Sequence, residues 1–410
     1  MSIRRSLVAT VVSLCVSGQS MAAGFERLEV SEDRIASYEL SSAERIAGMT
    51  VEALKREAER RATVTEGSFP GRSTGWLWPF DSKVDIHYRM FENPQESVGG
   101  IVIVSGRTEG LALYYETIGD LLANGWSVYI HDHRGQGFSS RLLDGKENES
   151  RGYVDDFDYY VDDLRSFTDR VVGKRSGNAR PLFIMAHSMG GAITSLLLQK
   201  QAGPYKAVAL VTPMHEPWAA GESQEPLNKV ADKYCDDIAY PFTFNVPFVS
   251  ASFAEGGDFD VQAKASAAAG PDKFSITQDP RRLALNWQAR SAPCAGAHCG
   301  HGNAKVGGAT KRWFNQACAA SREARGSAAS GIQIPVLLLQ GGDDRIVKPE
   351  RQVEFCDNVN RGKPAPNCKG YVVEGGRHAL LIEDDRYRKP VLVKLQDFFK
   401  CVGTGRTDCH

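Results

Sequence analysis

A mixed α/β fold, with a mostly parallel central sheet and helices on both faces, is predicted by three observations. From Gly100 onward, short runs recur that are apolar throughout: Ile101 to Val104, Val128 to Ile130, Leu182 to Met185 and Val208 to Val211. Segments with helical periodicity separate them, from Ala112 to Ala123, Tyr159 to Val172 and Gly190 to Gln201. The alternation breaks at Pro213 and resumes at Pro335 with Val336 to Leu339, Tyr371 to Val373 and a closing helix from about Lys389 to Phe399. A strand covered on both faces has no polar side, so its apolar residues run together. Strands that alternate with helices imply parallel neighbours joined by crossovers. Val84 to Phe91 alternates instead, which predicts a half-buried strand at an antiparallel edge before the main sheet.

The remaining segments are placed around that core. Arg4 and Arg5, an apolar run from Leu7 to Val16 and the small residues Ser20, Ala22 and Ala23 have the three parts of a cleavable secretion signal over 1–23. The bulky Leu14 argues against lipid attachment at Cys15, and no later segment offers the ~20 uninterrupted apolar residues of a membrane span. Residues 24–75 form an N-terminal extension with a helix from Val51 to Arg61 capped by Thr50. The core is assigned to 76–213 and 331–401, an inserted cap to 214–330 and a short tail to 402–410. With 410 residues, 24% of them charged, and a formal net charge of -1, nothing favours nucleic acid as a partner. A small or amphiphilic substrate fits better.

Removal of the signal leaves eight cysteines, an even set in an oxidising compartment where disulfides persist. Proximity pairs Cys294 with Cys299, Cys356 with Cys368 and Cys401 with Cys409; elimination then pairs Cys235 with Cys318. A competing reading makes His298, Cys299 and His301 metal ligands, but no second cluster completes a site. No metal or cofactor is expected.

The chemistry centres on Leu182 to Met185, which runs through Ala186-His187-Ser188-Met189-Gly190-Gly191 straight into a helical segment. Strand, sharp turn and helix are what a nucleophile elbow requires, although Ala186 stands where a glycine is usual. An unassisted serine hydroxyl is a poor nucleophile, so Ser188 needs a base. Two later loops follow strands: Gly341-Gly342-Asp343-Asp344 and Gly375-Gly376-Arg377-His378. In an open α/β sheet, the carboxyl ends of the strands share one edge, where Ser188, one of the two aspartates and His378 converge. Backbone N–H groups of Met189 and of Arg107, in the loop after Ile101 to Val104, are the candidate oxyanion donors. The Arg107 side chain is either a phosphate attractor or a solvated cation. His131 and His133 mark a turn and are read as structural.

The strings SGRTEG, DHRGQGFSSRLL, RGYVDDFDYYVDDL, AHSMGGA, GGDDRIV and GGRHALLIE resemble those of bacterial lysophospholipases in the monoacylglycerol lipase-like branch of the α/β-hydrolases. The resemblance runs from Ile101 to Phe399 and includes VGGATKRW, where Trp313 falls. It implies the α/β-hydrolase fold and an inserted cap. It also implies an elbow that tolerates Ala186, and the acid at Asp344, with Asp343 as fallback. The expected substrate is then an amphiphilic single-chain lipid ester, met at a membrane or micelle surface by an exported, periplasmic or extracellular serine esterase. Phe244 and Phe248, in the aromatic cluster from Tyr240 to Phe253, and Trp313 are the candidate acyl-chain contacts. Two other readings stay open: an exported aminopeptidase, with Asp236 and Asp237 holding the substrate amine, and a noncatalytic lipid-binding protein on the same fold.

Overall fold

The computed structural model describes residues 24–73, 83–143, 149–175, 180–200, 203–217, 259–260, 263–264, 266, 270–272, 275–294, 296–406 and 408–409. Among these, one sheet is built from β1 (Glu26–Arg27), β2 (Thr63–Pro70), β3 (Asp85–Glu92), β4 (Gly99–Val104), β5 (Trp126–His131), β6 (Leu182–His187), β7 (Tyr205–Val211), β8 (Val336–Gly341) and β9 (Cys368–Val373). Their order is β1-β9-β8-β7-β6-β4-β5-β3-β2. Every neighbour pair is parallel except β5 with β3 and β3 with β2. This is the α/β-hydrolase arrangement.

The continuously apolar strands are buried on both faces. Val102, Val104, Ile184, Ala186 and Leu338 turn to one core, covered by α4 (Asp158–Arg170), α5 (Met189–Lys200), α7 (Lys311–Arg325) and α8 (Pro349–Asn360). Their neighbours Ile101, Ile103, Phe183, Met185 and Leu337 turn to the other, covered by α2 (Val51–Arg60), α3 (Tyr115–Ala123) and α9 (Asp385–Gly403). Successive side chains of a strand point to opposite faces, so one apolar run serves two layers.

Two expectations need correction. The alternating segment ending at Phe91 lies one strand in from the edge, and β2 is outermost. Its residues 63–66 are exposed or half-buried, so they lack the apolar alternation that marks a strand. At the other end β1 pairs in parallel with β9, so residues before 75 supply both outer strands. The helix after Thr50 forms as expected, with the Thr50 hydroxyl accepting from Ala53 N at 3.2 Å and Val51, Leu54 and Ala58 buried.

A buried ionic network ties these segments together. Arg282, on α6 (Pro280–Arg290), donates to Glu116 of α3 at 2.8 Å and to Asp385 of α9 at 2.7 Å. Arg388 donates to Asp120 at 2.7 Å, and Ser41 of the N-terminal segment donates to Glu116 at 2.7 Å. Breaking one partner of such a set leaves an uncompensated buried charge, which costs about 3–5 kcal/mol.

The disulfides Cys294–Cys299, Cys356–Cys368 and Cys401–Cys409 are present as expected. Cys318 is also disulfide-bonded, while Cys235 lies outside the described residues. With its sulfur bonded to Cys294, Cys299 has no thiolate to offer a metal, and the His301 ring bonds Asn303 O and faces Glu149.

Candidate active site

Ser188 sits between β6 and α5 with φ 51°, a left-handed conformation that L-residues other than glycine seldom adopt. Its N–H donates to Val211 O at 3.1 Å, and its carbonyl accepts from Gly191 N and Met214 N, both at 2.8 Å. The strained turn is therefore held by bonds from two elements. A side chain at Gly190 would clash with the carbonyl oxygens of Val104 and Ser105, and one at Gly191 would strike Pro213. Ala186, fully buried in register with Val104 and Leu210, carries its methyl group without displacing the turn.

His378, after β9, places Nε2 2.9 Å from Ser188 Oγ and Nδ1 2.8 Å from Asp344 Oδ2. The other Asp344 oxygen accepts from Ile346 N at 2.8 Å and Val347 N at 3.2 Å. Asp343 is exposed and faces Arg345 instead. Geometry thus brings Ser188, His378 and Asp344 into one hydrogen-bonded chain and leaves Asp343 out. A carboxylate only accepts, so Nδ1 carries the proton and Nε2 is free to accept from the serine hydroxyl.

A second histidine lies beside the first. His187 and His378 have ring centroids 5.0 Å apart. His187 Nδ1 faces Glu109 Oε1 at 2.9 Å, and its Nε2 is 3.1 Å from the carbonyl oxygen of His378. Both neighbours are acceptors, so His187 donates from both nitrogens and is an imidazolium. Burial alone would lower its pKa, but the Glu109 carboxylate outweighs that and raises it. Burial likewise would raise Glu109, yet His187, the Tyr114 hydroxyl and the Gly106 N–H hold it down to about 2. Thr212 donates to the same His378 carbonyl at 2.7 Å. These three residues were missed in the sequence: His187 abuts Ser188 and Glu109 lies within SGRTEG, but nothing local marks Thr212.

The loop after β4 is shaped from the same side. Gly106 N donates to Glu109 at 2.5 Å, Thr108 N to Gln136 at 3.1 Å, and Gln136 Nε2 returns to Gly106 O at 3.0 Å. Thr108 has φ 62° and Thr212 φ 43°; with Ser188 they are the described non-glycine residues at positive φ, and each follows a strand of this edge. Strain of about 1–3 kcal/mol per residue persists where surrounding bonds over-determine it, as at functional sites. Among the described residues neither the Arg107 N–H nor the Met189 N–H has a protein acceptor. His133 is buried and bonds Ser105 O at 3.0 Å, supporting this loop from below. Trp313 is buried on α7 under the Arg107 guanidinium, 4.9 Å from its ring centroid. Phe244, Phe248, Asp236 and Asp237 lie outside the described residues.

The fold and its similarities define a hydrolase. The family described as serine aminopeptidase S33 matches residues 95–385, and the chain belongs to it. By fold and family it is an α/β-hydrolase, and relatives named lysophospholipase and monoglyceride lipase support an ester hydrolase. More particularly, it is 29% identical to lysophospholipase L2 of Escherichia coli over 301 residues, 73% of this chain and 79% of that one. It is 25% identical to a probable lysophospholipase L2 of Haemophilus influenzae over 321 residues, 77% and 88% of the two chains. A soluble variant of monoglyceride lipase from Saccharomyces cerevisiae superimposes with a TM-score of 0.57 at 16% identity, over 83% of this chain and 96% of that one. A carboxyl esterase from Bacillus coagulans does so with 0.55 at 15%, over 83% and 99%. At these identities the two structures speak for the fold.

Proposed function

We propose that this chain is an exported serine hydrolase that cleaves the carboxylic ester of a single-chain lipid, a lysophospholipid or monoacylglycerol, through an acyl-enzyme on Ser188. The observation that carries the reading is the chain of bonds from Asp344 through His378 to the Ser188 hydroxyl. Ser188 Oγ attacks the ester carbonyl as its proton passes to His378 Nε2, and the tetrahedral oxyanion takes the N–H groups of Arg107 and Met189. The C–O bond to the glycerol oxygen breaks, and that oxygen receives the proton from Nε2. Water then gives a proton to the same nitrogen and its oxygen to the acyl carbon, and release of the fatty acid returns the proton to Ser188. Asp344 holds the imidazole's tautomer throughout.

The lipid substrate rests on the names of the relatives, lysophospholipase L2 and monoglyceride lipase. Export is supported by the amino-terminal pattern and by the disulfides, which persist in oxidising compartments. The part of residues 214–330 that does not cover the sheet, as α7 does, acts as the cap, and its surface meets the membrane or micelle that holds the substrate.

The test is fatty-acid release from lysophosphatidylcholine and from monoacylglycerol by the oxidised protein, with an aminoacyl amide alongside and Ser188→Ala as control. Release that vanishes in the mutant is expected. Cleavage of the amide with silence on both lipids would replace this reading with an aminopeptidase.

A further inference from the structure

Three arginines meet one stretch of backbone, residues 303–307. Arg141 Nη2 donates to Asn303 O at 2.7 Å, Arg290 Nη2 to Val306 O at 2.9 Å and Arg107 Nη2 to Gly307 O at 2.8 Å. None of the three has an ion pair among the described residues. The fully buried arginines do: Arg134 with Asp163, Arg282 with Glu116, Arg388 with Asp120. A half-buried guanidinium whose Nε is shut off from water and has no acceptor is costly, so its retention calls for a reason.

For Arg141 the reason is structural, because its two terminal nitrogens bond the carbonyls of Gly137, Ser139, Asn303 and Lys305 and latch the two loops together. Arg107 and Arg290 differ. Like Arg141, each keeps a buried Nε with no acceptor, but each uses only Nη2 on a single carbonyl. Nη1 of both likewise has no acceptor among the described residues. Aromatic faces fix the two planes: Trp313 lies 4.9 Å from the Arg107 guanidinium carbon, and Trp287 lies 4.5 Å from that of Arg290. Stacking of this kind orients a guanidinium while leaving its edge open to an anion.

Burial lowers the pKa of both side chains to about 10, and Arg107 adds to the shift of Arg290, so two cations stay charged and close together at neutral pH. Glu109, the carboxylate acting on Arg290, is already engaged by His187, Tyr114 and Gly106 N. The Arg107 backbone belongs to the loop that offers the oxyanion N–H, and its side chain joins that loop to Gly307, next to the Val306 carbonyl that Arg290 holds.

We propose that Arg107 and Arg290 form a phosphate subsite, which holds the headgroup phosphodiester of a lysophospholipid while its ester carbonyl lies at Ser188. The assignment rests on the acyl-ester reading above and chooses between its two substrates. A phosphodiester offers the anionic acceptor that Nη1 of both groups lacks among the described residues, whereas a monoacylglycerol offers no anion.

The test compares kcat/KM on lysophosphatidylcholine and on a monoacylglycerol of the same acyl chain, using the full oxidised protein. Charge-assisted hydrogen bonds of this kind set the scale, so Arg290→Gln should lower the lysophosphatidylcholine-to-monoacylglycerol ratio by about tenfold or more, with Arg290→Lys in between. A ratio within about threefold of the wild type would overturn the subsite, since a merely structural arginine affects both substrates alike. A measurement on the wild type stands apart from any folding defect. Glycerophosphocholine should compete with monoacylglycerol where glycerol at the same concentration does not. Failure to compete, or equal competition by inorganic phosphate, would sink the headgroup assignment. Absence of Ser188-dependent hydrolysis of either ester would instead overturn the proposed function.

Discussion

Two histidine–carboxylate pairs lie side by side at this edge of the sheet, and their difference explains the site. In the first, Asp344 holds Nδ1 of His378 and Nε2 meets a hydroxyl, so one nitrogen remains able to take a proton. In the second, Glu109 holds Nδ1 of His187 and Nε2 meets the carbonyl of His378, so both nitrogens are committed donors. Identical groups thus give a proton carrier in one place and a fixed cationic clamp in the other. What separates them is the atom opposite Nε2. A hydroxyl both gives and accepts, while a carbonyl only accepts.

Replacing the first pair should have the largest effect. Ser188→Ala or His378→Ala should lower kcat by about 10⁴-fold or more, and Asp344→Asn by a comparable factor, because an amide presents a donor where the imidazole needs an acceptor. Asp343→Asn should leave kcat within about threefold, as expected of a surface charge. A severe loss in that variant would shift the acid to Asp343. Steady-state rates with active-site titration by a fluorophosphonate would decide.

The second pair acts through the first. His187→Leu removes a donor to the His378 carbonyl and strands the buried Glu109 carboxylate, so kcat should fall about 10- to 100-fold with KM nearly unchanged, and His187→Gln should recover part of the loss. A rise in KM with kcat preserved would make His187 a substrate contact instead. Thr212→Val deletes the other donor to that carbonyl and should cost about three- to tenfold in kcat, the scale of one net hydrogen bond. An unchanged rate would mean that His187 positions the loop alone.

A third histidine, held by two carboxylates, sharpens the comparison with stability alone. His87 lies between Asp132 at 3.1 Å and Glu66 at 3.0 Å. Burial pulls its pKa down, but the two carboxylates prevail and raise it to about 9. A folded pKa above the unfolded value stabilises fully below about 6.5, and that contribution fades as pH rises through about 9. Thermal melts should therefore show a Tm that drops by a few degrees between pH 7 and pH 10, with a flatter profile in His87→Gln. Parallel slopes in the two proteins would count against a charged His87.

Much of this was legible because the relevant signals are local. A strand covered on both faces is a continuous apolar run, and an elbow is a run of small residues around a serine. The loops carrying Asp344 and His378 follow such strands and are recognisable as turns. The outer strands β1 and β2 were not, since one spans two residues and the other is exposed along its first half. The acid illustrates the boundary: adjacent aspartates look alike as residues, and only resemblance favoured Asp344. In space, one carboxylate reaches His378 and the other faces solvent.

The sequence by itself determined the layered α/β architecture and pointed to the proposed nucleophile with its histidine and to three of the disulfide pairings, because periodicity, turn chemistry and loop proximity are properties of short segments. Only the tertiary structure decided that His187, held by Glu109, converges with Thr212 on one carbonyl, and that Arg107 and Arg290 sit together with no ion pair among the described residues. Those relations join residues from separate strands and from the insertion, and burial sets their charge states. Neither the distance between such groups nor the loss of water around them is written in any one stretch of chain.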